Sequence, residues 1–367
     1  MKILGIILFY ITLLALVVGA LIYLSNRFTL FFPSIPKKAW LSIFISSFVV
    51  ILAGMLLFSM TANPIGRVVY IVGGTISAVL IFLLLSVAAI DLFNLIFKFS
   101  PQTRGILSVG IASLLTIYGI WNAYTIKVKE VIIPVKGLTQ EVKAVHLTDI
   151  HLGNFRGKKE IDKIVRKINE LNPDVVFNTG DLFESKIHFN DSNDVLSAFS
   201  TLKAPHYFVY GNHDQYVGHE EVVNRMREVG VTVLQNEIDY HRELQIVGLN
   251  NMIPDLETFD PHATANSGTI EDVLNNLDVK EDLPTIILHH RPDGVKYMQA
   301  KGADLLLAGH THAGQIFPLS IIAKLMFGYN SGLYQYETMN IYVSEGIGAI
   351  FAPVRLGTSS EMTFIRM

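Results

Sequence analysis

The sequence predicts two parts: an all-α membrane region of four helices, followed by an α/β domain. Three observations predict this. Only 17% of the 367 residues are charged, where an average soluble domain carries roughly 25%. The deficit is confined to the first third, where seven basic residues face one acid, Asp91. That is a net +6 up to Ile126, which leaves −9 for the remainder against a total of −3. Beyond Val135 a different pattern repeats: an apolar strand-like run, a polar or glycine turn, then helical spacing.

The membrane region is read as residues 1–126. Its apolar runs, about 3–24, 40–60, 68–97 and 106–124, each reach the roughly 20 residues that span a bilayer. Lys2 before the first run resembles the start of a signal peptide. The run is too long for one, no small-residue cleavage pattern follows Leu24, and three spans come after it, so it is read as an uncleaved helix. Gly73-Gly74 and the stretch 105–113 allow close helix contacts. Asp91 lies late in an over-long run and is read as interfacial. Loops one and three hold Arg27, Lys37, Lys38, Lys98 and Arg104, against Lys2 and Arg67 on the other side, with Lys127 and Lys129 narrowing the margin. Positive loops stay inside. The expected location is therefore the cell membrane, multi-pass, with the large domain extracytoplasmic.

The second part, 135–367, is long enough for a core of its own. Its acidic balance argues against nucleic-acid binding, which needs a basic face. The chain has no cysteine, so disulfides and thiolate metal sites are excluded. A metal would be held by His, Asp, Glu or Asn.

In order, 143–150 reads as a strand ending in Asp149-Ile150-His151. Helical spacing of Ile161, Ile164, Val165 and Ile168 follows, stopped by Asn172-Pro173. A short strand, 174–178, ends in Gly180-Asp181, and 194–202 is helix-like. Strand 206–210 ends in Gly211-Asn212-His213-Asp214, and 219–229 is a helix. Runs 231–234 and 244–249 resemble paired strands. Strand 285–288 ends in His289-His290. After a short helix, 295–300, strand 303–307 ends in Gly309-His310-Thr311-His312. Strands 341–343 and 362–365 close the domain. Parallel α/β sheets place ligands at the carboxyl ends of strands, and each polar signature falls at such an end.

Collected, Asp149, His151, Asp181, Asn212, His213, His290 (or His289), His310 and His312 form a mixed imidazole, carboxylate and amide set. Such donors suit Mn, Fe, Zn or similar divalent ions. The set is too large for one ion and about right for two, the usual clamp for phosphoryl displacement. A lone Gly-Asp is ordinarily a turn and a lone Asp-x-His rarely a ligand pair. Five such signatures at successive strand ends are not explained by turns.

Asp149-x-His151, Gly180-Asp181, Gly211-Asn212-His213-Asp214, His290 and Gly309-His310-Thr311-His312 resemble the five signatures of the calcineurin-like metallophosphoesterases, from about Val142 to the C-terminus. Gly314-Gln315-Ile316, Pro318, Val343-Ser344-x-Gly346 and Arg355 narrow the likeness to a bacterial membrane-associated branch resembling UDP-2,3-diacylglucosamine hydrolases. Ser359-Ser360-Glu361 stands where that branch often has Pro-Pro-Glu. The resemblance implies a four-layer sandwich and two divalent metal ions. It implies that Asp149, His151 and His312 hold one ion, that Asn212, His290 and His310 hold the other, and that Asp181 bridges them. His290 is preferred to His289 for its spacing to Pro292. The resemblance makes His213 the general acid towards the leaving group, with Asp214 orienting it, and makes a metal-activated hydroxide the nucleophile.

The expected activity is hydrolysis of a phosphomonoester, phosphodiester or pyrophosphate. Four spans exceed what an anchor requires, which favours a lipid-linked substrate. The alternatives are a soluble phosphoester, or a non-catalytic metal-binding sensor or transporter. Asn154, Arg156, His188, Tyr216, Arg291 and Arg355 could read substrate, although a surface or packing role is the commoner one for each; Arg291 and Arg355 are the best placed for a phosphate. The irregular stretch 250–267 has the length of a lid.

Overall fold

The structure is a computed structural model that describes residues 2–57, 64–186, 195–257 and 268–367. The chain divides into a helical unit, up to Ile120, and an α/β unit, from Trp121 onward.

The helical unit comprises α1 (Lys2–Phe31), α2 (Lys37–Leu57), α3 (Pro64–Phe97) and most of α4 (Pro101–Tyr124). All four are long and apolar enough to cross a membrane. Gly54 and Gly73 let α2 and α3 touch backbone to backbone. A Cβ on Gly54 would lie 3.0 Å from the Val69 carbonyl, and one on Gly73 3.0 Å from that of Val50. In an apolar solvent such contacts replace hydrophobic burial as the source of packing energy. Asp91 ties three of these helices together. It accepts from the Tyr23 hydroxyl at 2.6 Å and pairs with Arg27 at 2.7 Å and Arg104 at 3.2 Å. The carboxylate read as interfacial thus has three partners of its own.

The α/β unit is built from two six-stranded sheets. The first runs β1 (Ile126–Ile132), β12 (Ser360–Arg366), β2 (Lys143–Leu147), β3 (Val175–Asn178), β4 (His206–Phe208), β5 (Thr232–Val233). The second runs β10 (Gly332–Tyr336), β11 (Met339–Val343), β9 (Leu305–Ala308), β8 (Thr285–Leu288), β7 (Leu244–Gly248), β6 (Glu237–His241). The central strands of each sheet, β2 to β5 and β7, β8, β9 and β11, are parallel. Strands buried on both faces read as unbroken apolar runs, which is why β3, β8 and β9 lack alternation.

Three apolar clusters set the layers. Ala144, Val175, Phe177, Ile286, Leu305 and Tyr342 fill the space between the sheets. Ile161, Ile164, Val165 and Ile168 of α5 (Lys158–Leu171) cover the outer face of the first sheet, together with α6 (Asn212–Glu228). Each of these buried aliphatic side chains contributes roughly 1.5–3 kcal/mol, and Ile164→Asp would break the face. The helix stops at Asn172, whose left-handed backbone (φ 46°) returns its N–H to the Ile168 carbonyl. Helices α7 (Ile270–Asn276) and α8 (Val295–Ala300) cover the second sheet. A final helix, α9 (Leu319–Met326), follows the last histidine turn. The result is the expected helix–sheet–sheet–helix sandwich.

Three sequence readings change. Residues 231–234 and 244–249 were expected to pair, but β5 and β7 lie at different places in different sheets, because β6 intervenes and pairs with β7. Segment 126–132 is β1, parallel to β12, so this unit starts before residue 135. Stretch 197–201 is a 3₁₀ turn. His188 and residues 258–267 of the irregular stretch lie outside the described residues.

Candidate metal centre

The polar signatures come from the carboxyl ends of strands in both sheets. Asp149 and His151 follow β2, Asp181 follows β3, and Asn212 and His213 open α6 after β4. His290 follows β8, and His310 and His312 follow β9. Asp149, His151, Asp181, His310 and His312 all have left-handed backbone, with φ between 49° and 73°. Such a conformation costs an L-residue roughly 1–2 kcal/mol, so five together mark a functional site. Hydrogen bonds hold it: Asp149 N to the Gly180 carbonyl at 2.9 Å, His151 N to that of Asp181 at 3.0 Å, and Gly309 N to that of His290 at 2.9 Å. Glycine is required beside them. A Cβ on Gly211 would collide with Asp181, and one on Gly309 with Thr148 and Asp149.

Among the described residues the side chains gather in three groups, each with ligand atoms within 4.8 Å of one another: Asp149, His151 and His312; His151, Glu184 and His213; and Asp181, His290 and His310. His151 Nε2 lies 3.0 Å from His312 Nε2 and 3.7 Å from Asp149, while His312 Nε2 is 3.3 Å from Asp149. His290 Nε2 is 3.1 Å from Asp181, and its Nδ1 is 2.8 Å from the Thr179 carbonyl. That second contact fixes the ring with Nδ1 as donor and Nε2 facing inward. His289 turns away, its Nδ1 2.7 Å from the Arg291 carbonyl.

Asp149 and Asp181 are 0% and 1% exposed. Buried carboxylates need positive charge nearby. Without a cation the histidines are the source of it. Burial lowers the affinity of His290 for a proton, but Asp181 outweighs burial and raises its pKa to about 9. Burial raises Asp181, yet His290 and His213 hold it well below the usual carboxylate range. His312 is pushed down to about 3 by burial, against Asp149. Asn212 Oδ1 is buried with no hydrogen-bond partner among the described residues, a defect of about 1–3 kcal/mol. A hard divalent cation would satisfy this oxygen and the paired carboxylates together, so the donor set fits a metal.

Glu184 is the residue the sequence reading missed. Its Oε2 lies 2.7 Å from His151 Nδ1 and 3.0 Å from His213 Nδ1. Its only signal in the sequence is an acid three positions after Asp181. Burial raises its pKa, but His213 and His151 drive it well below the ordinary value. Glu184, and not Asp214, is the carboxylate against the His213 ring. Asp214 is buried and accepts from the backbone N–H groups of Gly211, Leu182 and Phe183 at 2.9–3.2 Å. It sits at the third helical position of α6, where a carboxylate folds back on the helix start. Burial, then Asp181, raise its pKa to about 6.

The candidate substrate readers separate. Arg355 is 0% exposed and donates to the carbonyls of Glu345, Gly346 and Gly348, with Nη2 3.1 Å from His312 Nδ1. It supports the metal loop from behind and has no face for a phosphate. Arg156 is buried, donating to the Ala123 carbonyl at 2.9 Å with its guanidinium over the Tyr124 ring. Asn154 is also buried. Arg291 pairs with Asp293 at 2.9 Å. Tyr216 is 46% exposed, its ring 6.0 Å from that of His213, and so stands beside the open side of the site.

Strand-end histidines and carboxylates in a helix–sheet–sheet–helix sandwich define the class, a metallophosphoesterase domain. Residues 142–314 match the calcineurin-like phosphoesterase family. An uncharacterized metallophosphoesterase of Helicobacter pylori is 34% identical over 246 residues, 66% of this chain and 64% of that one. A Campylobacter jejuni counterpart is 32% identical over 272 residues, 71% and 69% of the two chains. A Bos taurus transmembrane protein with metallophosphoesterase domain is 35% identical over 289 residues, 71% and 61%. The chain belongs to the calcineurin-like phosphoesterase family. It spans 64% of the length of the Helicobacter pylori relative.

Proposed function

We propose that this chain is a membrane-anchored phosphoesterase that uses two divalent cations. The observation that carries the reading is the pair of triads, Asp149–His151–His312, all buried, and Asp181–His290–His310, in which His310 is half-buried. Asn212 adds an unpaired amide oxygen to the second. Asp181, between His151 at 3.8 Å and His290 at 3.1 Å, is the carboxylate shared by both groups. Bound there, the cations would supply Lewis acidity to a phosphoryl oxygen and to water.

The chain's own part is orientation and proton delivery. Glu184 takes the Nδ1 side of His213, which leaves Nε2 to hand a proton to the departing oxygen. His213 is less buried than Asp149, His151 and His312, with 17% of its side chain exposed, so a substrate reaches it. General-acid help of this kind is worth about 10²–10⁴ in rate. The four long apolar helices favour a lipid-linked phosphoester. The likeness to the branch around UDP-2,3-diacylglucosamine hydrolases, carried by Gly314-Gln315-Ile316 and Arg355, supports the same class. The excess of Lys and Arg in loops one and three favours an extracytoplasmic α/β unit, and an external protease that spared a C-terminal tag on intact cells would reverse that placement.

The direct test is hydrolysis of a soluble bis-aryl phosphodiester by the purified full chain with Mn, Fe, Zn or Co. Turnover with at least one metal is expected. Metal binding without turnover under all four would favour the sensor reading instead.

A further inference from the structure

Helix α9 carries an apolar face that the α/β unit does not cover. Phe317, Leu319, Ile321, Ile322, Leu325 and Met326 are between 44% and 83% exposed. Elsewhere in this unit, no ten consecutive described residues hold more than two exposed large hydrophobics. Scattered apolar side chains are normal on a surface, but a contiguous patch marks a contact. The helix has one charged residue, Lys324, which is exposed. Its buried anchor is Ala323.

The patch adjoins the metal centre. The turn His312–Gly314 leads into α9, and the Phe327 ring that follows it lies 5.8 Å from the His310 ring. Chain connectivity says what faces it. Four helices able to cross a membrane precede the unit. The fourth ends at Tyr124 and β1 begins at Ile126, so only Thr125 separates them. The last turn is also fastened to the α/β unit. Asn122 donates to the carbonyls of Arg355 and Thr358 at 3.1 and 2.8 Å, and Lys163 to that of Tyr124 at 2.7 Å. The chain therefore leaves its last span and enters this unit within one residue. A short helix with a Leu/Ile/Met/Phe face and one Lys has the composition of an interfacial anchor, with the amine at the level of the lipid phosphates.

We propose that α9 docks into the lipid bilayer, and that the metal centre beside it takes a lipid phosphoester from the membrane plane. The docking stands alone, whereas the substrate class rests on the phosphoesterase reading.

The chain has no cysteine, so L325C introduces a single thiol for a nitroxide label. The full chain is placed in nanodiscs of phosphatidylcholine and phosphatidylglycerol. E228C, on an exposed site of α6, serves as the water-facing reference. A label at 325 is expected to show an oxygen-to-nickel accessibility ratio severalfold above that at 228. Equal ratios would overturn the docking. Spin–spin broadening between chains would also overturn it, by assigning the face to a second copy. In the same nanodiscs, I322E/L325E is expected to hydrolyse a fluorescent-headgroup phospholipid about tenfold more slowly, with the soluble aryl phosphodiester unchanged. An unchanged rate on the phospholipid would overturn the substrate class. Failure of the parent chain on the soluble ester would instead overturn the phosphoesterase reading, with the label result still deciding the docking.

Discussion

In the helical unit one carboxylate, Asp91, meets two guanidiniums, Arg27 and Arg104, and a phenol, Tyr23. In the α/β unit three buried carboxylates, Asp149, Asp181 and Glu184, lie against histidine rings. Guanidinium is permanently charged, so the first cluster is complete within the chain. Imidazole is charged only when it binds a proton, and its nitrogens serve equally well as metal ligands. The second cluster is therefore built to be completed from outside. The second cluster is also the more buried: the side chains of Arg27 and Asp91 are 37% and 14% exposed, against 0% and 2% for Asp149 and Asp181.

The sharpest way to break this contrast is at the shared carboxylate. Asp181→Asn should abolish both metal loading and turnover, read by elemental analysis and by hydrolysis of the aryl phosphodiester. Retained metal with full turnover would remove Asp181 from the centre. His213→Ala should lower kcat by about 10²–10⁴ while leaving the metal in place. Loss of metal in that variant would make His213 a ligand and not a proton donor. Glu184→Gln keeps the volume and removes the charge behind both His151 and His213. A drop of about 10–100-fold in activity or metal affinity is expected, and Asp214→Asn should act through stability and not through the pH profile of turnover.

The smallest effect concerns acid. Burial pushes His146 and His206 down to about 3. Below pH 6.5 the unfolded chain binds a proton at each and the folded chain does not. Stability is therefore present at neutral pH and is lost as pH falls from about 6.5 towards 3, by about 1.4 kcal/mol per pH unit for each histidine. The helical unit, up to Ile120, has no histidine. Denaturation followed at pH 7 and pH 5 should show the α/β unit weakening while the helical signal persists. His206→Leu should flatten that dependence.

The two units were also legible for different reasons. The spans announce themselves by composition, because every residue facing lipid must be apolar. The metal residues announce themselves by position, since Asp149, Asp181, His290 and His310 each end an apolar run. Glu184 was hidden because an acid in a loop carries no periodic signal, and only the fold brings it against His151 and His213. Asp214 misled in the opposite way. Adjacency to His213 suggested partnership, whereas helix geometry turns its carboxylate to the N–H of Gly211. Arg355 looked like a phosphate reader because its charge is visible in sequence and its burial is not. Strand β1 escaped because Ile126–Ile132 alternates Lys and Val directly against the end of a span. The β5–β7 pairing failed because pairing depends on which sheet a strand joins, which local pattern does not encode.

The claim that the catalytic cluster is completed from outside meets its most direct test in metal titration. The full chain is stripped with a chelator, and Mn is added back while bound metal and aryl phosphodiester turnover are followed together. About two equivalents per chain are expected, with turnover that vanishes on stripping and returns as the second site fills. Turnover that survives stripping, or a chain that binds no metal at all, would contradict it.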